Sequence, residues 1–190
     1  MRLYDKYFVP FPTIKTERLI LRKMQKTDVD DLYDYCRRAE SCKYSNWSPH
    51  SSRYDTKDYV RWMLGRYLKH QALTFVIEYE GRVIGTASYM DFDDDYKTVE
   101  IGYGINSDYW GRGLGTETVN ALISYAFGTV GVIRVFARVI PENTASSATL
   151  TGCGFTLEGV LRKSQYHKGA YKDIAVYSML SSEYRMINKS

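Results

Sequence analysis

Cysteine is scarce: three thiols, Cys36, Cys42 and Cys153, stand scattered among 190 residues. An odd, dispersed set excludes a disulfide framework and points to a reducing compartment, so a cytoplasmic location is expected. Histidine is no commoner. His50, His70 and His167 lie far apart and never at HExxH spacing, so no zinc and no other metal is expected. The acidic run Asp91, Asp93, Asp95 has Tyr96 where an EF-hand needs its glycine and Gly102 where it needs its last glutamate, which excludes that calcium loop. Long hydrophobic runs are missing too. Nothing approaches the roughly eighteen uninterrupted apolar residues of a membrane span. The opening Met1-Arg2-Leu3-Tyr4-Asp5-Lys6 is charged where a secretory signal begins its apolar stretch, so no leader is expected. Charge of one sign is also lacking. The net +4 is spread through mixed signs, compatible with a small anionic ligand and too weak to imply nucleic acid.

What is present is ordinary for a globular protein, with 44% apolar and 25% charged residues. The length fits a single domain over residues 1–190, long enough to bury a core without metals or disulfides. Residues 1–15, around Pro10 and Pro12, read as an irregular lead-in.

Arg18 to Arg22 reads as the first strand. Thr27 then opens a helix with Asp28, Asp30 and Asp31 in its first turn, where the dipole favours acids. Residues 41–54 read as a loop. A second helix over about 56–69 has an apolar stripe of Tyr59, Val60, Met63, Leu64, Tyr67 and Leu68, and Trp62 is expected to be partly core. From residue 72 the period becomes two. Strands are expected at Leu73–Tyr79, Val83–Met90, Val99–Ile105, Val132–Ile140, Phe155–Leu161 and Tyr171–Leu180. Helices at about 114–127 and 143–152 fall between the later ones. The order predicts an α/β fold: a mixed, mostly antiparallel twisted sheet of about seven strands flanked by about four helices.

The informative segment is Glu100-Ile101-Gly102-Tyr103-Gly104-Ile105, then Tyr109-Trp110-Gly111-Arg112-Gly113-Leu114-Gly115-Thr116-Glu117. A strand runs into a glycine turn inside which a helix begins. Glycine permits positive φ and close backbone approach. The first helical turn leaves amide N–H groups unpaired. Together these make an anion site suited to a pyrophosphate, with Arg112 at its rim. A tight connection with no ligand is the competing reading. Neither the Walker GxxxxGK[ST] pattern nor the Rossmann GxGxxG pattern is met, so ATP and NAD are not implied.

Ile105-Asn-Ser-Asp-Tyr-Trp-Gly-Arg-Gly-Leu-Gly-Thr resembles the acetyl-CoA pyrophosphate motif of the GNAT N-acetyltransferases, [QR]xxGxG. Pro141-Glu142-Asn143-Thr144-Ala145-Ser146 with Gly154-Phe155 is similar to that family's NxxS…GF helix and strand. Thr16 to Arg22 and the stretch from Gly169 to Leu180 look like the RimJ/RimL branch, which acetylates N-terminal amines of ribosomal proteins. The likeness covers about residues 16–182. Trp110 stands where the motif has Gln or Arg. Leu150 stands where many members carry a tyrosine acid, and Gln165 stands where some RimL-type enzymes place a glutamate.

The resemblance implies direct transfer of acetyl from acetyl-CoA to a primary amine in a ternary complex, by a monomer or homodimer with no membrane or nucleic-acid partner. The acceptor is a protein N-terminus, ribosomal or other, or a small amine. Deprotonating an α-amine at pH 7 costs only about 1–1.4 kcal/mol, against about 4.6 for a lysine. A modest base suffices, and Glu100 is the candidate; the competing role is a carboxylate paired with an arginine or tyrosine. The leaving thiol has an ordinary pKa of about 8.5 and needs little acid help, for which Ser146 is the candidate by family analogy. Asn143 is assigned to the pantetheine arm, a role compatible with capping a helix. The backbone of Tyr103, Gly104 and Ile105 is expected to pair with the pantetheine amides. Gly111, Arg112, Gly113, Leu114, Gly115 and Thr116 are expected to hold the pyrophosphate. Tyr44, Trp47, Trp62 and Tyr166 are candidates for the acceptor side. The alternative is a non-catalytic acyl-CoA-binding sensor on the same fold, which Leu150 and Gln165 leave open.

Overall fold

The computed structural model describes residues 3–187. An eight-stranded sheet has the order β1-β2-β3-β4-β5-β6-β8-β7. Its strands are β1 (Ile14–Lys15), β2 (Leu19–Lys23), β3 (Leu73–Tyr79), β4 (Arg82–Asp93), β5 (Thr98–Ile105), β6 (Arg134–Val139), β7 (Thr156–His167) and β8 (Ala170–Leu180). The helices are α1 (Leu3–Phe8), α2 (Val29–Cys36), α3 (Ala39–Cys42), α4 (Arg53–Leu68), α5 (Leu114–Tyr125), α6 (Thr144–Gly152) and α7 (Ser181–Ile187). Among the described residues no helix is long and apolar enough to cross a membrane, and no cluster of three metal-ligating side chains occurs.

The mixed, mostly antiparallel sheet agrees with the sequence reading. The helix count does not: α1, α3 and α7 are additional, and the lead-in is not wholly irregular. Helices of four to seven residues have too few turns to show periodicity and are held by tertiary contacts. Phe8 illustrates this. It is 2% exposed and meets Tyr89 and Phe92 edge-on, anchoring α1 to β4. Residues 1–2 of the expected lead-in lie outside the described residues. Further along, α4 starts three residues before the expected position because Ser52 and Asp55 form a capping box.

Alternation along β3 divides the core. Phe75 and Ile77 face one side with Leu114, Val119 and Leu122 of α5 and Leu150 of α6. Val76 faces the other with Leu32 and Tyr35 of α2 and Val60, Met63 and Tyr67 of α4. Leu68 and Trp62 depart from expectation: they are 83% and 54% exposed. Their positions fall on the outer side of α4, next to Gly65.

Candidate active site

β5 and β6 run parallel and pair at three positions, Thr98–Arg134, Val99–Val135 and Glu100–Phe136. Beyond Glu100 the two strands part. β5 continues to Ile105 against β4, and β6 continues to Val139 against β8. The result is a wedge whose apex is Glu100. Asn106 N–H donates to Ile84 O at 2.8 Å. Antiparallel alternation therefore turns the backbone groups of Gly102 and Gly104 towards β4, and those of Ile101, Tyr103 and Ile105 into the wedge. The indole N–H of Trp110 donates to Ile105 O at 2.8 Å, so that carbonyl is already taken. The parallel pair Glu100–Phe136 engages the Ile101 N–H, so the free edge is the Ile101 carbonyl, Tyr103 and the Ile105 N–H. Gly104 serves instead through its missing side chain: a Cβ there would stand 2.3 Å from the Tyr35 hydroxyl oxygen.

The glycine turn closes the wide end of the wedge. Gly111 and Gly113 both have φ of 74°, and Gly113 is the N-cap of α5 without a capping side chain. The first-turn N–H groups of α5, at Leu114, Gly115 and Thr116, have no carbonyl partner within the helix. This turn is braced from a distance. Arg18 donates from Nε to Glu117 Oε2 at 2.6 Å and from Nη1 to Arg112 O at 3.0 Å. Burial alone would raise the Glu117 carboxyl, yet the Thr16 hydroxyl and the Arg18 amide and guanidinium hold it low. Arg112 is exposed, with its guanidinium 5.2 Å from the Tyr109 ring centroid.

The other wall is α6. Asn143 caps it, accepting from Ser146 N–H at 3.3 Å through Oδ1. That leaves its amide NH₂ as donor. Ser146 is half-buried. The Tyr103 phenol, pushed up by burial, faces the hydroxyls of Ser146 and Thr149, which pull it back. Leu150 is fully buried and packs in the core.

Glu100 shares its sheet face with Gly102 and Gly104. It is 4% exposed and accepts from Arg138 twice, Nε at 3.0 Å and Nη2 at 2.6 Å. The same Nη2 reaches Asp91 at 2.6 Å. The pairing with an arginine is therefore present, and it raises the Arg138 guanidinium further above its usual range. Each carboxylate oxygen keeps a second lone pair.

Residues 38–46 lie across both lips of the wedge. Arg38 pairs with Asp108, and Ser41 Oγ accepts from Ser107 N–H at 3.0 Å. On the far lip, the Tyr44 hydroxyl donates to Glu142 O at 2.9 Å and Asn46 accepts from Gln165 at 2.9 Å. Gln165 thus ties the β7–β8 hairpin to this segment. Lys172 pairs with Glu142 at 2.7 Å and holds its carboxyl below the usual range. Trp47 follows this segment directly, whereas Tyr166 meets Tyr171 edge-on at the hairpin tip and Trp62 sits on the outer side of α4. The sequence reading missed Arg18, Arg138 and Tyr35 as site-shaping groups. Each acts across a long sequence separation that no local motif records.

An acetyltransferase (GNAT) domain model matches residues 18–156. The uncharacterised N-acetyltransferase p20 of Bacillus licheniformis is 36% identical over 174 residues, covering 90% of this chain and 98% of that protein. A ribosomal-protein-serine acetyltransferase of Escherichia coli (strain K12) is 29% identical, covering 88% of this chain and 96% of its own. The microcin C7 self-immunity acetyltransferase, solved in complex with acetyl-CoA and AMP, matches with a TM-score of 0.78 at 27% identity, over 87% of this chain and 93% of that one. With its splayed β5–β6 pair and uncapped glycine turn, the chain belongs to the GNAT family of acetyltransferases, among relatives that include a ribosomal-protein acetyltransferase.

Proposed function

We propose that this enzyme transfers acetyl from acetyl-CoA directly to the N-terminal α-amine of a protein, the two reactants meeting in the wedge between β5 and β6. The observation that carries this reading is the parting of β5 from β6 at Glu100 beside an uncapped helix start. Acetyl-CoA supplies the acetyl group as an activated thioester. The N–H groups of residues 111–116 hold its pyrophosphate, favoured by the α5 dipole. The free edge at the Ile101 carbonyl, Tyr103 and the Ile105 N–H pairs with pantetheine amides as an added strand does. The Asn143 amide donates to the same arm, and the Ser146 hydroxyl faces the sulfur.

The amine approaches from the opposite sheet face, beside the Tyr35 hydroxyl that covers Gly104, and Glu100 accepts its proton directly or through water. A carboxylate is a modest base, and Arg138 holds this one in place. An α-amine needs no more, because its deprotonation costs only about 1–1.4 kcal/mol at pH 7. Most of the rate then comes from positioning. A polyamine fits less well. The acids around the wedge are each matched by a cation: Glu100 and Asp91 by Arg138, Asp108 by Arg38, and Glu142 by Lys172. Four acids against three cations leave a surplus of one negative charge, fewer than the several amines of a polycation call for. The similarity to a ribosomal-protein-serine acetyltransferase supports the same choice.

The test is acetylation of three acceptors, with the modified atom located by mass spectrometry. One is a peptide with a free α-amine, one is the same peptide blocked at its N-terminus but containing lysine, and one is spermidine. Transfer to the free α-amine alone is expected. Preferred transfer to spermidine or lysine overturns the acceptor assignment, and binding of acetyl-CoA without any transfer indicates a sensor.

A further inference from the structure

The outer side of α4 carries a surface that acetyl transfer itself does not use. Tyr54, Trp62 and Leu68 lie there 71%, 54% and 83% exposed. Lys57, Arg61, Arg66 and Lys69 fall on the same side by helical spacing. Two acids share that side: Asp58, which pairs with Arg61 at 2.8 Å, and Asp55, seven residues before Trp62, which accepts from Ser51 and Ser52. A shallow cavity of about 490 Å³ opens between Trp62 and Lys69, with Gly65 among its lining residues. A Cβ on Gly65 would meet nothing within 4 Å, so packing does not require glycine where glycine weakens a helix. Arg66 stands 4.8 Å from the Trp62 ring centroid and donates to Gln71 O at 3.1 Å, which fixes the indole as a platform.

This surface is linked to the wedge by a row of packed aromatic rings that runs from the buried Tyr35 outwards. Tyr35, whose hydroxyl covers Gly104, is followed by Trp47, His50, Tyr59 and Trp62, with successive centroids 5.6, 5.7, 6.0 and 6.2 Å apart. The row starts on the sheet face that carries Glu100. An extended chain advances about 3.3–3.6 Å per residue, so about seven residues at most span the row.

We propose that an acidic stretch of the acceptor polypeptide, about seven residues beyond its N-terminus, docks on the Trp62–Lys69 side of α4 while the amine sits at Glu100. The inference rests on the reading of the wedge as an N-terminal acetylation site. Charge selects the occupant: four cations against two acids leave a positive surplus, which fits a segment of the opposite sign. Trp and Arg anchors are typical of protein interfaces. A nucleic acid fits less well, because Asp58 lies inside the patch and Arg66 is committed to Gln71 and Trp62.

The experiment compares KM for two free-amine peptides with the same start, one of about four residues and one of about fourteen with an acidic second half. The long peptide is expected to have a KM about tenfold lower, an advantage that fades with added salt. R61E/K69E removes the advantage and leaves kcat and the short-peptide KM unchanged, whereas R61K/K69R retains it. Equal KM values for the two peptides, or an advantage that survives R61E/K69E, overturn this inference alone. An RNA oligonucleotide that competes better than the acidic peptide also overturns it. No turnover of either peptide overturns the acceptor reading and this inference together.

Discussion

Glu100→Gln is expected to lower kcat/KM for a free-amine peptide about 100-fold at pH 7, at the lower end of what a general base contributes. The low end follows from the structure, because Arg138 already occupies one lone pair on each Glu100 oxygen. Glutamine keeps the shape and one acceptor for Arg138, which also retains Asp91. The fold and the affinity for acetyl-CoA should therefore persist, since Glu100 lies on the sheet face away from α5. The defect has a definite pH signature. An α-amine titrates near 7.7–8.0, so above about pH 8 it is already neutral and the loss shrinks. Rates across pH 6.5–9 with a parallel acetyl-CoA titration check this. A wild-type rate in Glu100→Gln at pH 7 would remove Glu100 from the chemistry and leave it as the partner of Arg138.

The second large effect belongs to the glycine turn. Gly113→Ala is expected to weaken acetyl-CoA binding about 100-fold or more. At φ of 74° an alanine is strained, by roughly 1–2 kcal/mol, and the turn relaxes away from the left-handed conformation. The methyl itself is accommodated, since a Cβ would lie 3.6 Å from Arg18 Nη2, an ordinary contact. The loss thus comes from misdirected N–H groups. A hydrogen bond to a charged group contributes about 1.5–3 kcal/mol, so losing one or two accounts for the predicted factor. Calorimetric titration with acetyl-CoA measures it directly, and kcat at saturation should change little. An unchanged dissociation constant would mean that the pyrophosphate is held elsewhere.

How much of this was readable in the sequence depends on range. The glycine turn was legible because its determinants are consecutive residues: positive-φ glycines, a strand before and an apolar helix after. Asn143 was legible as a cap for the same reason. Trp110 looked like a departure from the motif, and its role became visible only in the bond to Ile105 O. Gly104 was expected to offer its backbone. The register with β4 turns that backbone away, and Tyr35 explains the glycine instead. Arg18 reaches Glu117 across 99 residues of sequence, and Arg138 reaches Glu100 across 38, distances at which no spacing rule operates. α4 was misread in part because Leu68 and Trp62 are apolar residues on its outward side. β7 runs to His167, beyond the expected end at Leu161, because register shifts around Lys163 break the alternation that marks a strand.

The central claim is that the β5–β6 wedge and the turn before α5 form an acetyl-CoA site. Thermal unfolding with acetyl-CoA, CoA, ATP and NAD, each near 100 times its dissociation constant where it binds, tests it most directly. A bound ligand at that level adds about 2.7 kcal/mol, or roughly 5–11 °C for a chain of this size. The account predicts that shift with acetyl-CoA and CoA and its absence with ATP and NAD. No shift with either CoA species, or an equal shift with ATP, contradicts it.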